Sequence, residues 1–190
     1  ATELETKRQL GNSTSSRLNS KKNCKDLRKF GGRHRMSENS MIYLGADHRG
    51  FQLKEKIKKY LQEKGISFED LGAFEYSQDD DYPDFALAVA KKVAESPEIN
   101  RGILLCGSGQ GVNITANKVK DVYSFLAWNV ESIKAHEKAN ILSLPADFLK
   151  EEEVIEIVRI FLETKFPLKG REERDIRRME KIKKIEEENG

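Results

Sequence analysis

Cys106 stands directly before a glycine-rich run, Gly107-Ser108-Gly109-Gln110-Gly111. A thiol in that setting has chemistry available to it. If a helix begins after the run, its free N–H groups favour a thiolate, which can act as nucleophile or general base. The same N–H groups can hold a phosphate or a developing oxyanion, since glycines let the backbone approach a ligand. Each feature also has a plainer reading. A cysteine ending an apolar strand is often an inert small hydrophobe, and Gly-x-Gly turns often only make tight connections. A dinucleotide-binding fingerprint does not fit. That pattern is Gly-x-Gly-x-x-Gly after the first strand, with an acidic residue about 20 positions on. Here the spacing is Gly-x-Gly-x-Gly, much later in the chain.

Asp47-His48-Arg49-Gly50 is a second unusual run. A histidine there can bind phosphate or move protons near neutral pH. Read plainly, Asp47 caps the next helix and His48 is solvated. A third run, Asp79-Asp80-Asp81-Tyr82-Pro83, gathers carboxylates and a phenol before a helix. His136 lies among Lys134, Glu137 and Lys138, where a solvated imidazole is the simplest reading. A Cys/His hydrolase would need His48 or His136 on the sulfur. Arg171, Arg174, Arg177 and Arg178 read by default as a charged helix surface. Cys24 and Cys106, the two cysteines, form neither a zinc spacing nor a disulfide scaffold. They suit a cytoplasmic protein with reduced thiols.

The elements that must carry these residues alternate between strand and helix. Strands are expected over 41–46, 66–71, 103–106, 122–128 and 140–144. Helices are expected over 52–64, from Pro83 onward, from the glycine run to Lys118, and over 130–138, 149–166 and 172–188. On the first helix Leu53, Ile57, Tyr60 and Leu61 share a face, and Gly65 stops it. The 103–106 run has lost its in/out alternation, as a strand buried on both faces does. Alternating strands and helices imply an α/β fold with a parallel sheet and right-handed crossovers. Ligands then bind beyond the carboxyl ends of the strands, which selects the three runs above. The last helix has a narrow apolar seam, Ile176, Met179, Ile182 and Ile185, that must pack on the body or on a partner subunit.

Composition divides the chain in two. Residues 1–40 hold eight apolar residues and ten Lys or Arg against four Asp or Glu, a net of +6. The whole chain is only +2, so residues 41–190 carry −4. The first part reads as a basic, disordered extension and 41–188 as the folded domain. A mildly acidic body without clustered aromatics argues against nucleic-acid binding. No apolar run is long enough to span a bilayer.

Taken together, Gly45-Ala-Asp47-His48-Arg-Gly50-Phe51, Asp81-Tyr82-Pro83 and the stretch from Gly102 through Cys106-Gly-Ser108-Gly-Gln-Gly111-Val-Asn113 to Asn117-Lys118 resemble the B-type ribose-5-phosphate isomerases. That family also includes galactose-6-phosphate isomerase subunits. The resemblance runs from Met41 to about Ile185. It implies a Rossmann-like three-layer αβα sandwich with a five-stranded parallel sheet and an extra C-terminal helix. It also implies a homodimer or dimer of dimers with shared active sites, and no metal or cofactor. The implied reaction interconverts ribose 5-phosphate and ribulose 5-phosphate through a cis-enediolate. The alternatives are a hexose 6-phosphate substrate (allose or galactose 6-phosphate) and a non-catalytic sugar-phosphate-binding protein.

By the same resemblance, Cys106 is the base, and Ser108 with the Gly107, Gly109 and Gly111 amides faces the enediolate. Asp47 and Tyr82 hold sugar hydroxyls, His48 contacts the phosphate, and Asn113 belongs to the binding motif. His136 opens the sugar ring, and Arg174 and Arg178 grip the phosphate from one face of the last helix. The chain departs from the family at two places. Glu137 and Lys138 follow the histidine where Asn and Asp are common, and Asp147 follows the fifth strand where an arginine is frequent. Part of the phosphate grip is then expected from Arg171 or Arg177.

Overall fold

The structure is a computed structural model that describes residues 40–133, 138–164 and 170–189. The readings placed on the basic extension, on His136 and on the end of the 149–166 helix lie outside the described residues. Among the described residues eleven elements follow one another: β1 (Ile42–Ala46), α1 (Phe51–Lys64), β2 (Phe68–Asp70), α2 (Tyr82–Ala94), β3 (Arg101–Cys106), α3 (Gln110–Ala116), β4 (Ser124–Leu126), α4 (Val130–Ile133), β5 (Ile141–Pro145), α5 (Glu151–Glu163) and α6 (Glu172–Asn189). Among the described residues the five strands form one parallel sheet, ordered β2-β1-β3-β5-β4.

Burial explains this order. β1 and β5 are buried at every position and β3 at all but its first residue, so they occupy the centre; β2 and β4 are only partly buried and take the edges. Alternate residues serve two separate cores. Ile42, Leu44, Ile103, Leu105, Leu142 and Leu144 pack beneath α1 and α5. Tyr43, Leu104, Cys106 and Ile141 pack beneath α2 and α3 with Val89, Val93, Val112 and Ala116. Each fully buried aliphatic side chain contributes roughly 1.5–3 kcal/mol. Cys106 therefore belongs to the α2/α3 face, not to the larger core on the other side.

Helix ends follow local rules. Gly65 ends α1 in the left-handed conformation (φ 65°), which glycine adopts without steric cost. Pro83 lies in the first turn of α2, where a missing N–H is harmless. The fourth strand is shorter than its apolar run suggests, because Asn129 turns the chain away. Its Oδ1 accepts the Ser132 N–H at 2.7 Å and so caps α4.

α6 lies across the amino end of the sheet. Ile176, Met179, Glu180 and Lys183 share a cleft with Glu98, Asp121, Tyr123 and Lys138, all of which precede strands. The Asp121 N–H donates to Glu186 Oε1 at 3.0 Å. Of the expected seam only Met179 is half-buried; Ile176, Ile182 and Ile185 remain exposed. Among the described residues no helix is long and apolar enough to cross a membrane.

Candidate active site

Strand register alone assembles the site. Ala46 pairs with Leu105, and Cys106 pairs with Pro145. The Asp47 N–H continues the ladder to Leu105 O (3.3 Å), Ala146 N–H to Cys106 O (2.9 Å) and Asp147 N–H to Gly107 O (3.0 Å). Asp47, Cys106 and Asp147 thus leave the carboxyl ends of three adjacent strands side by side. The crossovers from β1 and β3 depart in opposite directions here, which is where open α/β sheets form a ligand crevice.

Cys106 is 4% exposed. Its Sγ accepts the Gly109 N–H at 3.1 Å. Gly109 is left-handed (φ 70°, ψ −13°), and this conformation turns its amide back onto the sulfur. A side chain there would also meet Leu126 Cδ1 at 2.5 Å. The sulfur is thereby fixed against the turn of glycine amides that opens α3. Ser108 stands exposed at the tip of the turn, and its Oγ accepts the Gln110 N–H at 3.3 Å. Asn113, half-buried on α3, is close to Asn117, whose Nδ2 donates to the Asn113 carbonyl at 2.9 Å.

Asp47 is buried, and its Oδ1 accepts the N–H groups of Arg49 and Gly50, each at 3.0 Å. It therefore shapes the turn before α1, whose N-cap is Gly50. Burial pushes the Asp47 carboxyl up, and the two backbone hydrogen bonds oppose that push. His48 is not simply solvated. Its Nδ1 lies 2.6 Å from Asp80 Oδ1, and its ring meets Tyr76 edge-on at 6.0 Å. Asp80 Oδ2 is buried without a hydrogen-bond partner. Tyr82, the first residue of α2, lays its ring on Gly111; a Cβ there would fall 2.5 Å from the ring. Three sequence-distant loops are thereby keyed to one another.

Two pairs escape sequence reasoning. Arg49 and Asp147, 98 positions apart, form an ion pair: Nε donates to Oδ1 at 3.2 Å and a terminal nitrogen donates to Oδ2. The pair closes over Gly107, where an added Cβ would lie 2.6 Å from Arg49 Nε and 2.7 Å from Asp147 Oδ2. Lys54 is fully buried. Its Nζ donates to Asp70 Oδ1 at 2.6 Å and to the Ala73 carbonyl at 2.5 Å, and it faces the Phe51 and Phe74 rings at 5.6 and 5.8 Å. It anchors the start of the loop that carries Tyr76 and Asp80.

Cys106, Gly107, Ser108, Gly109, Gly111, Asp47, His48 and Tyr82 converge at the carboxyl edge. Arg174 and Arg178 do not join them within this chain. They flank buried Asp175 at 3.7 and 3.9 Å on α6, at the opposite end of the sheet. Arg171 and Arg177 belong to the same segment and are exposed.

Comparison with known proteins agrees with this geometry. Residues 42–182, which include every loop of the site, match the ribose/galactose isomerase family. Ribose-5-phosphate isomerase B from Mycolicibacterium paratuberculosis is 38% identical over 138 residues, 71% of this chain and 86% of its own. The crystal structure of ribose-5-phosphate isomerase B from Mycoplasma genitalium with bound ribulose 5-phosphate superposes with a TM-score of 0.75. It is 38% identical and covers 80% of this chain and 99% of its own. The Clostridium thermocellum enzyme superposes at 0.71, with 34% identity over 79% and 99%. A match this long, with the cysteine turn and both flanking loops inside it, settles the question of kinship: the chain belongs to the ribose/galactose isomerase family.

Proposed function

We propose that this chain interconverts ribose 5-phosphate and ribulose 5-phosphate, with Cys106 as the base. The observation that carries the reading is the Cys106 sulfur held against the Gly109 N–H at the carboxyl edge of the sheet. In the aldose the thiolate takes the proton from C2, which leaves a cis-enediolate with its charge on the C1 oxygen. The proton of the C2 hydroxyl passes to that oxygen, and the cysteine returns its own proton to C1 to give the ketose and restore the thiolate. The proton inventory balances, and neither oxidant nor reductant is required. The exposed turn around Ser108 faces the developing oxyanion, where donors placed beforehand are worth most. Asp47 and Tyr82 line the sugar, and His48, held by Asp80, meets the phosphate end.

Ring opening and the rest of the phosphate grip come from a second copy of the chain. Arg174 and Arg178 ride on α6 at the amino edge. His136 comes five positions before β5 begins. A strand spans ~17–20 Å, too far for a side chain to reach Cys106 in the same subunit. A twofold dimer solves this by lending the same residues in both directions. The compartment is the cytoplasm, where a catalytic thiol stays reduced.

The test is turnover of purified protein on a panel of phosphorylated aldoses. Ribulose 5-phosphate should form from ribose 5-phosphate with a higher kcat/KM than that for allose 6-phosphate or galactose 6-phosphate. Preference for a hexose phosphate overturns the pentose assignment, and binding without turnover overturns the catalytic one.

A further inference from the structure

The Arg49–Asp147 pair is built into the active-site edge yet does little for folding. Both side chains are substantially exposed, at 55% and 32%, and exposed ion pairs contribute little to stability. The pair nevertheless bridges two loops 98 positions apart and requires a glycine beneath it at Gly107. Gly107 is the residue immediately after Cys106. Arg49 is the residue immediately after His48, whose imidazole is held by Asp80. An arginine fork suits a carboxylate and a phosphate equally well, because both present two oxygens at matching spacing. Asp147 thus occupies the kind of partner position that a sugar phosphate would claim. Hydrogen bonding to Asp147 holds the Arg49 guanidinium above its ordinary range, with further contributions from nearby Asp47 and Cys106.

We propose that Arg49 is a phosphate-binding residue of this site and that Asp147 is its internal competitor. Asp147 holds the guanidinium over Gly107 when the site is empty and gives it up when a phosphorylated sugar enters. This rests on the isomerase reading for its substrate, but not for its test. The arrangement sets a ceiling on phosphate affinity, since each binding event must break an existing ion pair. It also favours release, because the carboxylate is at hand to recapture the arginine.

Two substitutions should therefore act in opposite directions, whereas a merely structural clasp would lose function from either side. The experiment compares Arg49→Gln, Asp147→Asn, the double variant and Arg49→Lys. It measures kcat and KM for ribose 5-phosphate, and calorimetric Kd for inorganic phosphate at fixed ionic strength. Arg49→Gln should raise KM and phosphate Kd by about 10- to 100-fold, the usual consequence of losing a charged hydrogen bond, with kcat changed much less. Asp147→Asn should lower both KM and Kd, and that gain should vanish in the double variant. Arg49→Lys should recover part of the affinity. Two results overturn the proposal: phosphate affinity unmoved in Arg49→Gln, or Asp147→Asn weakening phosphate as Arg49→Gln does. If wild-type protein binds phosphate through Arg49 yet does not isomerise ribose 5-phosphate, the isomerase reading falls and this one stands.

Discussion

His48 and Asp80 lie 32 positions apart in the chain and 2.6 Å apart in the fold. With Nδ1 engaged by the carboxylate, the ring is fixed in orientation and Nε2 is the nitrogen left for a ligand. Asp80→Asn replaces that charged partner with a neutral one. The expected result is a fall in kcat/KM for the phosphorylated sugar of about 10- to 100-fold, carried mainly by KM. Steady-state kinetics check this, with circular dichroism to confirm the fold. An unchanged KM would remove Asp80 from the substrate grip.

Cys106→Ser should lower kcat by at least ~10²-fold, because a hydroxyl is far less acidic than a thiol and general-base catalysis is typically worth 10²–10⁴-fold. Serine is nearly isosteric and can still accept the Gly109 N–H, so thermal stability should scarcely change. Near wild-type turnover in this variant would dismiss the cysteine as the base.

Lys54 and Lys58 both contact Asp70, at 2.6 and 2.7 Å. Burial would raise the Asp70 carboxyl, but hydrogen bonds from the two lysines outweigh it and hold the group below the ordinary carboxylate range. A carboxylate depressed in the folded state adds stability that is present above its unfolded pKa of ~3.9 and is lost as pH falls through the folded value. Lys54→Met removes one of the two cations. It should cost about 3 kcal/mol at neutral pH, the low end for breaking a buried pair, since Lys58 remains. The variant should then lose less stability than wild type on acidification. Urea titrations across acid pH measure both effects, and an equal acid loss in the two proteins would show that Lys54 does not hold Asp70.

The proposed sharing of the site between two subunits predicts complementation. Cys106→Ser and His136→Ala should each be inactive. After subunit exchange, a mixed dimer carries both lesions in one site and leaves the other intact. Activity should return toward about half of wild type per mixed dimer. With exchange verified by native mass spectrometry, silence of the mixture would confine the site to one chain.

The fold was legible because its signals are local. Lost alternation at 103–106 marks the central strand, and glycine at 65 and proline at 83 mark helix ends. What could not be read is what depends on packing between distant segments. Leu53 and Tyr60 do pack against the core with Ile57 and Leu61, but the fully buried residues of α1 are Lys54, Ile57 and Leu61. Their three- and four-residue spacing is itself helical, but a lysine in that stripe reads as solvated until Asp70 is known to lie opposite. The Asp79–Asp81 run was a visible candidate, whereas the choice of Asp80 for His48 is made by the path of the loop. Asp147 was visible only as a departure from a family pattern, and its partner Arg49 was hidden by 98 intervening residues.

The register that places Asp47, Cys106 and Asp147 side by side also fixes when they separate. They extend the ladders of β1, β3 and β5, the three strands with the deepest burial, and such strands open only when the whole domain opens. Amide hydrogen exchange at Ala46, Leu105 and Leu144 should therefore be among the slowest in the protein. The α6 amides, by contrast, should exchange early. Within a subunit, the carboxyl-edge loops are as durable as the domain itself, and a denaturant series should melt α6 before it disturbs the turn that holds Cys106.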